Sequence, residues 1–116
     1  MKIVDIKTFL MQVDAPNLRS WASDGSFGHD KSKKGLTGTR NWLFVKVYTD
    51  EGITGIGECS GWPRVIETAV QDLKWILIGQ DPMDIERLWQ KMMSALMAHG
   101  VLGTVGGGAM TGIDMA

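Results

Sequence analysis

A chain of 116 residues, 44% hydrophobic and 22% charged, has room for one small domain with a modest core and is too short for two ordinary ones. Twelve Lys and Arg against 13 Asp and Glu leave a net charge of -1, which excludes the global basic footprint of most nucleic-acid and anionic-membrane binders. A single cysteine, Cys59, excludes an intramolecular disulfide, Lys2 and Asp5 interrupt any signal-peptide core, and the longest strongly apolar run, residues 75–78, falls far short of the roughly 20 needed to cross a bilayer, so a cytoplasmic protein is expected.

Residues 2–13, rich in Ile, Val, Phe and Thr without Gly or Pro, read as a strand. Their apolar positions change phase, from Val4 and Ile6 to Phe9, Met11 and Val13, which predicts a bulge or a second half covered on both faces. Residues 14–39 then dissolve into Gly, Ser, Asp and Asn, a loop of a length that is usually functional or disordered. Residues 42–49 and 53–58 read as two strands joined at Asp50, Glu51 and Gly52 into a tight hairpin. Gly55 and Gly57 strip one face of the third strand of side chains, so a partner or, more simply, a packed helix must approach its backbone.

Pro63 marks a first helical position, and Val65, Ile66, Ala69, Val70, Leu73, Ile76 and Leu77 follow at helical spacing until Gly79. Asp81 reads as the N-cap of a second helix, with Asp84 completing a capping box and Ile85, Leu88, Trp89, Met92 and Leu96 as its buried stripe, ending near Gly100. After a glycine-rich turn at residues 103–108, a third helical pattern opens with Ala109, Met110 and Ile113. Two turns are unstable alone, so this segment either docks here or belongs to something longer, and the longer chain is the expectation.

Generic catalytic motifs are weak. The glycines at 103–108 are followed by no Lys-Ser or Lys-Thr, which argues for a turn over a phosphate cradle. Ser60 falls one position late for a nucleophile elbow, Cys59 reads as a small buried hydrophobe, and His29 and His99 suggest no metal cluster. The Met and Trp residues mostly fall on helical stripes, as core; Trp21 and Trp62 are the exceptions. Residues 14–39 start where the first strand ends and residues 60–62 start where the third ends, so both can meet at one end of the sheet. Arg19, Trp21, His29, Lys31, Ser60 and Trp62 would there suit a polar, anionic small molecule, against the alternative of a loop pinned by its own tryptophan.

Four stretches together carry a resemblance: the opening Lys2-Ile3-Val4-Asp5-Ile6, the hairpin from Val45 to Glu58, the link Ile78-Gly79-Gln80-Asp81-Pro82, and the closing Gly112-Ile113-Asp114-Met115-Ala116. They resemble the N-terminal capping domain of the enolase superfamily, in its mandelate racemase and muconate lactonizing enzyme branch. The resemblance implies an α+β fold, a three-stranded antiparallel sheet followed by a small helical bundle, over residues 1–116. It implies that residues 109–116 lead into a C-terminal (β/α) barrel absent from this chain. That barrel would hold Mg²⁺ and the base that removes a proton α to a carboxylate, while this chain would bind no metal and contribute no catalytic residue. The polar residues at 14–39 look more like an acid-sugar dehydratase of galactonate type, a lyase, than a racemase of an aromatic acid. Racemases, epimerases and cycloisomerases share the same cap, and a free-standing binding or oligomerisation module is the alternative from another class. The implied partners are an acid-sugar carboxylate, the barrel and further copies of the chain, with neither nucleic acid nor membrane.

Overall fold

The computed structural model describes residues 1–14 and 39–116. In chain order they form β1 (Ile3–Asp14), β2 (Thr39–Thr49), β3 (Thr54–Cys59), α1 (Pro63–Leu77), α2 (Ile85–Ala98) and α3 (Gly107–Met115), with a π-helical turn at Leu102–Gly106 leading into α3. The α+β architecture read from the sequence is the one found: an antiparallel sheet in the order β1-β2-β3 with helices on one face, and no barrel among the described residues. None of the described helices is long and apolar enough to cross a membrane.

The hairpin between β2 and β3 closes through hydrogen bonds from the Thr49 amide to the Ile53 carbonyl (3.0 Å) and from the Gly52 amide to the Thr49 carbonyl (3.2 Å). Gly52 takes φ +82° there, a conformation that a side chain would strain. Period-two alternation then sends Leu43, Val45, Val47 and Cys59 to the buried face. The strand-one bulge lies earlier than the phase change suggested. Pairing slips between Ile3 and Asp5, leaving Val4 unpaired and exposed, so Ile3 and Ile6 both face the core. Phe9 and Met11 consequently turn to the uncovered face of the sheet, opposite Phe44 and Trp42.

α1 and α2 bury narrower stripes than their composition suggested. Ile66, Val70, Leu73 and Leu77 of α1, and Leu88, Met92 and Leu96 of α2, are buried. Each such side chain contributes on the order of 1.5–3 kcal/mol relative to exposure. Val65 and Ile85 are exposed and Trp89 is only just so, because each helix has one contact line, α1 against the sheet and α2 against α1 and α3, and these residues flank it. Trp75, 76% exposed, faces away from the core altogether, and Met83, Met97 and Met115 are exposed too, so methionine and tryptophan are not mainly core here.

The second helix also begins later than Asp81. The Asp81 carboxylate accepts from the Met83 amide (3.0 Å) and its carbonyl from the Asp84 amide (3.1 Å), closing a separate turn, so Asp84 becomes the N-cap residue. Its carboxylate pairs with Arg87 (2.8 Å) instead of capping an amide. Likewise the glycines at 103–108 do not form a simple turn: they span the π-helical turn and the first residues of α3.

α3 docks on this domain, which is compatible with the expected longer chain. It lies on the stripped face of β3, where a Cβ on Gly55 would collide with the Ala116 carbonyl and one on Gly57 with the Gly112 carbonyl. A Cβ on Gly112 would in turn strike the Cys59 sulfur. Helix-on-sheet packing therefore explains the two strand glycines. Along β1, Asp5 pairs with Lys74 of α1, and that contact holds its carboxyl below the usual range. Thr8 donates to Glu67 (2.8 Å) and accepts from Gln71 (3.0 Å), extending the polar seam between strand and helix.

Candidate functional site

Strand register decides which segments share an end of the sheet. Leu10 pairs with Leu43, which also pairs with Cys59, so β3 stops there. The β1–β2 ribbon continues past that row to the pair Asp14–Thr39. Four further residues at about 3.3 Å each put the base of residues 15–38 about 13 Å beyond Cys59. Both segments singled out from the sequence therefore leave the sheet at the same end, and residues 60–62 begin beside the ribbon.

Trp62 is held by its backbone. Its carbonyl accepts from the amides of Val65 (3.1 Å) and Ile66 (3.0 Å), which supplies the first bonds of α1, and no side-chain cap is made. Pro63 follows at the first helical position, where its missing amide costs nothing. The indole stands 47% exposed, beside an exposed Ser60. Arg19, Trp21, His29 and Lys31, the other residues proposed from the sequence, lie outside the described residues, as does the body of the 14–39 segment.

Two motifs that read as weak in the sequence are explained by their surroundings. Cys59 is buried and its thiol is pushed up to about 11 by desolvation, with a Gly112 backbone hydrogen bond acting in the opposite sense, so it is a packed hydrophobe and not a nucleophile. Two glycines of the 103–108 run face protein: a Cβ on Gly106 would meet the Val101 carbonyl and one on Gly108 the Ser60 carbonyl, whereas one on Gly103 would meet nothing. His99 lines a groove of about 750 Å³ between α1 and α2, with Arg64, Thr68 and Asp72. Among the described residues, no three His, Cys, Asp or Glu side chains converge, so they do not fit a Mg²⁺ ion and no metal chemistry is derived from them.

Residues 32–116 match the family described as mandelate racemase / muconate lactonizing enzyme, N-terminal domain. The chain belongs to that family. Within it, this N-terminal domain is 48% identical over 77 residues to a D-galactonate dehydratase of Ralstonia pickettii (strain 12J), a match that covers 65% of the chain and 20% of that protein. The chain thus spans about a fifth of the length of the curated relatives it matches. Among solved structures, a member of the enolase superfamily from Polaromonas sp. JS666 superposes on all of this N-terminal domain and 28% of its own chain, with TM-score 0.76 and 28% identity. An enolase from Agrobacterium radiobacter, bound to Na and L-malate, superposes on the whole domain and 23% of its own chain with TM-score 0.70 and 24% identity, a likeness of fold. Sequence reasoning missed Ile66, Thr104 and Gly108, which seat residues 60–62 from other elements.

Proposed function

We propose that this chain is the specificity cap of an enzyme that dehydrates a galactonate-type acid sugar after proton abstraction α to its carboxylate. The observation that carries the reading is the common sheet end from which residues 15–38 and 60–62 depart, with Trp62 held by its backbone and its indole on the surface. The D-galactonate dehydratase relatives support the substrate class. In this reading the domain covers residues 1–116, residues 14–39 form a lid, and residues 109–116 lead into a barrel. The proton transfer and the Mg²⁺ belong to that barrel.

The chain's own residues bind and enclose the substrate. Arg19 and Lys31 offer charge to a carboxylate, His29 and Ser60 offer hydrogen bonds to hydroxyls, and Trp21 and Trp62 wall off water. Excluding water strengthens each of those polar contacts. A cap residue of this kind touches substrate without touching the metal. In the full-length protein, Trp62→Ala and His29→Ala should therefore lower kcat/KM on galactonate while leaving Mg²⁺ affinity nearly unchanged. Steady-state kinetics together with Mg²⁺ titration checks this. Unaltered kcat/KM in both variants removes these residues from the lid, and an unaltered rate with a lowered melting temperature for Trp62→Ala assigns the indole to packing instead.

A further inference from the structure

Residues 60–62 hang between two helices. Gly61 takes φ +111°, and a Cβ built on it would lie 2.7 Å from the Ile66 Cδ1 and 3.6 Å from the Thr104 Cγ2. From the other side, a Cβ on Gly108 would strike the Ser60 carbonyl and come within 2.8 Å of the same Ile66 methyl. Ile66 is fully buried, and its amide also bonds the Trp62 carbonyl at 3.0 Å. One methyl group is thus wedged beneath the segment, between a glycine of the segment and a glycine of α3. The first turn of α3 presses on the Ser60 carbonyl with only hydrogen atoms between them.

The geometry points to Gly108 and Ile66 as positioning residues for Trp62: α3 fixes the height of residues 60–62 at the sheet end, and the Ile66 methyl fixes the spacing. The proposal rests on the cap reading for its kinetic consequence, but its structural consequence stands alone. Any side chain at position 108 must lift Ser60 or push α3 back. Packed interiors transmit such displacements, because they have no slack to absorb them. Loss of the Ile66 Cδ1 does the reverse and leaves the segment loose.

The test uses the full-length protein labelled with 5-fluorotryptophan, the Trp62 resonance being assigned by its disappearance in Trp62→Phe. Gly108→Ala and Ile66→Val should each shift or broaden that resonance and raise KM for the acid sugar several-fold, with kcat changed less. One control separates positioning from general loosening. Ile6→Val removes the same methyl from another fully buried isoleucine. It should lower the melting temperature and leave the Trp62 resonance in place. If Gly108→Ala does not fold, the comparison of Ile66→Val with Ile6→Val decides. An unmoved resonance in Ile66→Val, or one moved as far in Ile6→Val, overturns the positioning role. A moved resonance with unchanged KM, alongside a kinetically silent Trp62→Ala, supports the positioning role and sinks the cap reading instead.

Discussion

Cys59 shows how one buried atom reports on its surroundings. Its sulfur sits between the end of β3 and Gly112 of α3, and burial disfavours the thiolate far more than the Gly112 contact favours it. The thiol's pKa rises from 9.0 to about 11 on folding, so the folded state holds the proton more tightly than the unfolded state. That contribution to stability is fully present below pH 9 and is lost as pH rises toward 11. Urea unfolding midpoints measured at about pH 8 and about pH 10.5 should fall more for the native sequence than for Cys59→Ala. Equal falls would show that the thiolate forms without cost and that the sulfur is less enclosed than the structure places it. Thiol reagents at neutral pH should correspondingly react only as fast as the protein opens.

At the scale of elements, the contact between β3 and α3 is backbone on backbone. Gly57→Ala must separate strand from helix, and overpacking of this kind costs about 1–3 kcal/mol. Calorimetry should register a melting temperature lower by several degrees, whereas Thr54→Ala, on the exposed start of the same strand, should change it little. This contact is legible in the amino-acid sequence through the alternation of glycines along β3, as are β2 through its apolar alternation and α1 through its Pro63-to-Gly79 pattern. That residues 15–38 and 60–62 leave the sheet at the same end is legible for a topological reason, since an antiparallel meander returns alternate ends to the same side. Other features depend on contacts that no local pattern encodes. The Val4 bulge is set by which register buries both Ile3 and Ile6, and the late start of α2 by a side-chain bond from Asp81 to Met83. Trp75 and Trp89 look like core by composition, but Trp75 faces away from it and Trp89 flanks the buried line of its helix. The seat of residues 60–62 joins Ile66 to Gly108, 42 positions apart in the sequence, and is visible only once α3 is in place.

Across the whole molecule, α3 runs from Gly108 against Ser60 at one end of the sheet to Ala116 against Gly55 toward the other. The hairpin end is tied down by the amino terminus: the Met1 ammonium pairs with Glu51 (3.0 Å), the Lys2 amide donates to Asp50 (2.8 Å), and Ile3 and the 79–80 link exchange two backbone bonds of 2.8 Å. At the opposite end stand Ser60 and the half-exposed Trp62, and among the described residues no three His, Cys, Asp or Glu side chains converge. Among the described acidic residues, Asp5 pairs with Lys74, Glu67 accepts from Thr8 and Asp84 pairs with Arg87. Divalent magnesium needs several oxygen ligands in near-octahedral array, usually including one or two carboxylates. Isothermal titration of the 116-residue chain with Mg²⁺ should therefore give no stoichiometric micromolar site, and on the proposed cap reading the same titration of a full-length protein should give one that Trp62→Ala leaves intact. A tight site in the 116-residue chain would place metal ligands within the cap and overturn the division of labour between cap and barrel.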